Sequence, residues 1–194
     1  MTDFNSVISQ ATSQRGKEQK AEELVQLVVF DLDNEEYAAP IEDLREIIRI
    51  PEIAPVPNAP EFIRGILNLR GTIVVVIDLE KRFHLTREGA TPASHIIITQ
   101  VKDGTFGLIV DKVSEVLRVP VSKIQPTPSL VSSKIHADYL KGVAVLEEEG
   151  DKCKEGEEKN NKTRLIIILD LPKMLAEEEL LRVGSMVGEA AQKI

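Results

Sequence analysis

The chain repeats itself, and the repetition limits its possible folds more than any other feature. Ile41-Glu42-Asp43-Leu44-Arg45-Glu46-Ile47 is answered by Val110-Asp111-Lys112-Val113-Ser114-Glu115-Val116. Ile53-Ala54-Pro55-Val56-Pro57 is answered by Ile124-Gln125-Pro126-Thr127-Pro128, and Phe62-Ile63-Arg64-Gly65 by Tyr139-Leu140-Lys141-Gly142. "IVVVIDL" returns as "LIIILDL", with Asp78 set against Asp170. The matches keep one order while their spacing widens from 69 to 92 residues. Two copies of one unit of short strands and turns explain that order. The expected fold is all-β: two small five-stranded SH3/OB-like barrels from an internal duplication, with short helices and a C-terminal helix.

Polar, aperiodic residues 1–23 read as a mobile tail. Residues 24–92 would form the first barrel subdomain and 93–183 the second, with 184–194 a tail, all within one domain of 194 residues. Asp33-Asn34-Glu35 marks a hairpin, and "IEDLREIIRI" reads as a short helical turn. Pro172 and Gly184 bracket an expected helix over 172–183. The spacing jumps within one hairpin of the second copy, at "EEEGDKCKEGEEKNNKT" (147–163), which is almost wholly charged or polar. Such a segment buries little and reads as a solvated, mobile loop. Cys153 lies inside it with no activating motif nearby, so it reads as an incidental exposed thiol.

A net charge of −8 opposes binding to a phosphate backbone, so no nucleic-acid partner is expected. No apolar run approaches the roughly 20 residues a spanning helix needs, so no direct membrane insertion is expected. One cysteine and an N-terminus without signal-peptide character point to the cytoplasm. Neither G-x-x-x-x-G-K-[ST] nor G-x-G-x-x-G occurs, and His84, His95 and His136 stand apart from other metal ligands. No catalytic residue, cofactor or metal is expected. Asp78 and Asp170 each precede an expected helical turn and read as caps.

A binding protein remains, and "GILNLRGT" then becomes informative. Arg70 sits in the first copy, whereas the second replaces Asn-Leu-Arg-Gly with the acidic loop. An arginine required by the fold alone would be expected twice, so Arg70 reads as functional.

"DNEEYAAPIEDLREIIR", "PNAPEFIRGILNLRGTIVVVIDLEKRF", "GLIVDKVSEVL", "IQPTP" and "YLKGVAVL…RLIIILDLPKML" span about residues 25–183. Together they resemble the CheW family, the adaptors of bacterial and archaeal chemotaxis. The resemblance implies two barrels on a shared hydrophobic seam and no catalysis. It implies an adaptor, monomeric when free, that links the cytoplasmic tips of chemoreceptors to the regulatory domain of the histidine kinase CheA and is recruited to membrane-bound receptor arrays. It carries receptor contact onto Leu44, Glu46, Ile47, Arg70, Val113 and Val116. Kinase contact maps to Arg64 and Ile73, with a second kinase contact at Gln125 and Leu130. Leu44, Ile47, Val113 and Val116 hold matched positions and could line both sides of an inter-barrel groove that accepts an amphipathic helix. The acidic loop is longer than is usual for the family, and no fused receiver domain is expected. The alternative is a sensory module that binds a small molecule in the inter-barrel groove.

Overall fold

The computed structural model describes residues 22–85, 95–126, 135–148 and 162–176. The first strands are β1 (Leu24–Leu32), β2 (Glu35–Pro40), β3 (Leu44–Arg49), β4 (Ile63–Leu69) and β5 (Thr72–Asp78), followed by the short helix α1 (Leu79–Arg82). Then come β6 (His95–Val101), β7 (Gly104–Val110), β8 (Lys112–Pro120), β9 (Ile124–Gln125), β10 (Leu140–Glu148), β11 (Lys162–Leu169) and α2 (Leu171–Leu175). Asp33 and Asn34 both take positive φ, as a two-residue hairpin between right-twisted strands requires.

The strands form two sheets, ordered β3-β6-β7-β5-β4 and β8-β1-β2-β11-β10-β9. Each curls back on itself. Beyond β3 the chain bridges to β4 at Ala54 and Ile66. Beyond β8 a 3-10 turn, Val121–Lys123, leads into β9, which pairs with β10. We call β3–β7 the first barrel and the other sheet the second.

The duplication extends to individual pairings. β5 runs parallel to β7 with Val75 beside Phe106 and Val76 beside Gly107. β11 runs parallel to β2 with the matched residues, Ile167 beside Tyr37 and Ile168 beside Ala38. Gly65 and Gly142, also matched, sit at register shifts in β4 and β10 with φ of 149° and 157°. A Cβ on Gly65 would lie 2.2 Å from the Ala54 carbonyl oxygen, and one on Gly142 would lie 2.6 Å from that of Gln125. Only glycine lets the closing strand approach so near.

Repeat copies and barrels do not coincide. A boundary at 92/93 divides the repeat, yet each barrel takes strands from both sides of it. The β1–β2 hairpin joins the second barrel, and the β6–β7 hairpin joins the first. The 3-10 turn Ile41–Asp43 carries the chain from β2 in one sheet to β3 in the other.

Three further expectations change. Only Ile41–Asp43 of "IEDLREIIRI" is helical, as a 3-10 turn, and Leu44–Arg49 is a strand. Its β-branched Ile47 and Ile48 suit the ladder with β6, and burial alternates along it. Of the C-terminal helix expected over 172–183, the described part begins one residue earlier, running Leu171–Leu175 with Ala176 as its C-cap. Residues from 177 onward lie outside the described residues. The ends of the 147–163 segment continue the β10–β11 ladder, pairing Glu147 with Thr163 and Glu148 with Lys162. The remainder, including Cys153, lies outside the described residues. Asp78 and Asp170 cap as expected, accepting from the Lys81 and Lys173 backbone N–H at 3.2 and 3.1 Å.

Period-two alternation sorts the apolar residues into three clusters. Val74 and Val76 face the first barrel's interior with Ile96 and Ile98. Ile166 and Ile168 face the second's with Leu27 and Val29. The intervening residues, Val75 and Ile77 on β5 and Ile167 and Leu169 on β11, meet in a seam filled by Phe30, Tyr37, Phe106 and the helix residues Leu79, Leu171 and Met174. The shared hydrophobic seam is therefore present and packed.

Candidate functional site

Leu44 opens β3, and its match Val113 lies near the start of β8; both are half-buried against the seam cluster. The two strands thus leave the seam from equivalent points. Further along, Ile47 and Val116 are exposed at 41% and 54%, so the matched positions carry unburied β-branched side chains. Scattered exposed apolar residues are ordinary, but exposure at duplicated positions is a repeated feature of this unit.

Arg70 and Gly71 form the tight β4–β5 turn, both with positive φ, and the Gly71 N–H donates to Asn68 Oδ1 at 2.8 Å. Closure of the barrel between the chain after β3 and β4 brings this turn beside β3. There Arg70 Nη2 lies 3.1 Å from Glu46 Oε2, with the arginine side chain 80% exposed. Two residues singled out separately in the sequence therefore form a pair.

The second barrel holds a residue that the sequence reasoning missed. Arg164 at the start of β11 donates from Nε and Nη2 to Glu36 at 2.7 and 2.6 Å. Its Nη1 donates to Glu115, the match of Glu46, at 2.7 Å. Hydrogen bonds to Glu36 lead in raising the guanidinium above its ordinary pKa, and burial opposes them. The second copy thus does supply an arginine to the equivalent glutamate, which corrects the premise that Arg70 has no counterpart. The available signal was an arginine directly before "LIIILDL", two positions out of register with Arg70.

Other side chains brace one barrel on the other. The Arg82 guanidinium carbon lies 4.7 Å from the Phe62 ring centre and 5.6 Å from that of Tyr139, the matched aromatic. Its Nη2 also donates to the Tyr139 hydroxyl at 3.2 Å. Lys141 Nζ reaches Asp43 Oδ2 at 3.3 Å, joining β10 to the turn before β3.

Of the residues expected at a kinase contact, Arg64 is exposed on β4 and Ile73 is half-buried on the neighbouring β5. Gln125 is exposed on β9 of the other barrel, while Leu130 lies outside the described residues. An open cleft of about 600 Å³ beside β3 is lined by Glu42, Asp43, Leu44, Arg45, Gln100 and Lys102. This lining is largely charged, unlike that of an apolar ligand pocket. Among the described residues no cluster of His, Cys, Asp or Glu could hold a metal ion, and no helix is long and apolar enough to cross a membrane.

Residues 26–179 match the CheW-like domain family. Chemotaxis protein CheW of Treponema pallidum is 31% identical over 85% of this chain and 90% of its own. CheW of Klebsiella aerogenes is 30% identical over 83% of this chain and 87% of its own. Among solved structures, scaffolding protein TtCheW of Thermoanaerobacter tengcongensis superposes with a TM-score of 0.64 at 33% identity, covering 84% of this chain and 94% of that one.

Proposed function

The chain belongs to the CheW-like family of chemotaxis scaffold proteins, and from that premise we propose that it couples the cytoplasmic tips of chemoreceptors to the regulatory domain of a CheA-type histidine kinase. The observation that carries the reading is the Arg70–Glu46 pair at 3.1 Å, set beside exposed Ile47 on a strand that leaves the inter-barrel seam. A receptor tip is a helical hairpin. Its apolar face would lie against Leu44, Ile47, Val113 and Val116, and Glu46 and Arg70 would order the lip beside them. Kinase contact falls to Arg64 and Ile73 on the β4–β5 hairpin, with Gln125 and Leu130 forming a second kinase contact. The protein works by contact, without catalysis, in the cytoplasm at receptor arrays. The small-molecule reading draws no support from a seam filled by side chains.

Sizing chromatography with a CheA regulatory domain and a receptor-tip fragment tests this. Co-elution with each, and kinase activation when all three are combined, are the expected results. Failure to bind either partner would overturn the reading.

A further inference from the structure

Arg164 ties together two strands of the second barrel, β8 and β11, that do not pair with each other directly. In the sheet order β8-β1-β2-β11, Glu115 on β8 and Arg164 on β11 are separated by two strands. Glu36 lies on β2, next to β11. Each of the three is two residues from an interior side chain: Glu36 from Ala38, Glu115 from Leu117, and Arg164 from Ile166. Side chains two apart on a strand share a face, so all three converge over one end of the barrel interior. The Arg164 side chain is only 19% exposed there, against 80% for Arg70 in the first barrel. A bidentate bond to one carboxylate and a third bond to another place the planar guanidinium in a single geometry. Val116, the exposed residue next to Glu115, rides on the strand that this bond restrains.

We propose that Arg164 is a positioning residue for the receptor-binding surface: by holding Glu115 against Glu36 across the second barrel, it sets the part of β8 that presents Val116. The inference rests on the functional reading above, in which Val116 meets the receptor. The second barrel's lip is thereby held by a largely covered guanidinium on a glutamate that is 42% exposed, whereas in the first barrel the arginine of the pair is 80% exposed.

The test uses the full chain and measures affinity for a receptor-tip hairpin and, separately, for the CheA regulatory domain. Glu115→Gln leaves the Arg164–Glu36 pair intact, and Arg164→Lys keeps the charge while losing the fork. Both should unfold cooperatively near the wild-type temperature, lose roughly fivefold in receptor affinity, and keep kinase affinity. A double-mutant cycle should show the two losses to be non-additive. Unchanged receptor affinity in Glu115→Gln, or equal loss of both partners, would overturn the proposal. Val116→Ala separates the two levels. If it weakens receptor binding while Glu115→Gln does not, only the positioning role of Arg164 fails. If it changes nothing, the receptor face itself is misplaced and the proposal falls with it.

Discussion

Arg70 and Glu46 meet across the closing edge of the first barrel, Nη2 to Oε2 at 3.1 Å, with the arginine almost wholly in solvent. Exposed pairs of this kind contribute about 0–1 kcal/mol to stability. Arg70→Ala should therefore keep stability within about 1 kcal/mol of wild type while strongly lowering receptor-stimulated kinase activation. Arg70→Lys should restore only part of it, because an ammonium lacks the planar fork. Thermal unfolding paired with kinase activity in reconstituted arrays decides the matter. Normal activation would make Arg70 a passive turn residue, and an unfolded variant would make it a structural one.

Among the described glycines, Gly65 and Gly142 should tolerate substitution worst. An alanine Cβ at Gly65 would collide with a backbone carbonyl at 2.2 Å and hold a φ of 149° that side chains rarely adopt. Gly65→Ala should cost more than about 2 kcal/mol, visible as a lower denaturant midpoint. An unchanged midpoint would mean that the Ala54–Ile66 closure can shift freely.

Tyr37 makes stability fall at alkaline pH. Burial pushes its phenol well above the ordinary value, and Glu35, which accepts its hydrogen bond at 2.6 Å, adds to the rise. The unfolded chain releases this proton near about pH 10 while the folded chain keeps it. The contribution is thus fully present below that pH and lost as pH rises above it. Melting temperature followed through this range should drop more steeply in wild type than in Tyr37→Phe. Parallel curves would show that the phenol does not resist ionisation.

Ile73→Glu should separate the two partners. Ile73 is half-buried opposite Asn68 on the outer hairpin of the first barrel. A carboxylate there must be desolvated in any apolar contact. Kinase affinity should fall more than receptor affinity in a variant that still melts cooperatively. Equal losses would place both partners on one surface.

Local signals were legible where neighbours decide the outcome. Asp78 and Asp170 read as caps because a capped turn needs only its own residues. Glu46 and Glu115 read as equivalents because the repeat aligns them. "IEDLREIIRI" misled because Ile41, Leu44, Ile47 and Ile48 are spaced as on a helix, whereas the β6 ladder imposed alternation instead. The role of Arg164 stayed hidden because Glu36 lies 128 residues away. The exchange of hairpins left no trace, since two similar copies offer each hairpin the same apolar face in either barrel.

The strands of the first barrel run consecutively from Leu44 to Val110, nested inside a second barrel whose strands lie on both sides of them. During vectorial synthesis the middle of the chain is therefore the first part to have a full set of barrel strands. Once Val110 has left the ribosome, the nested barrel has all its strands and can close. The hairpin made first, β1–β2, must meanwhile carry unpaired edges until β8 arrives on one side and β11 on the other. Those waiting edges are the stretch of the nascent chain most open to pairing with a wrong strand, including the same hairpin of a neighbouring copy.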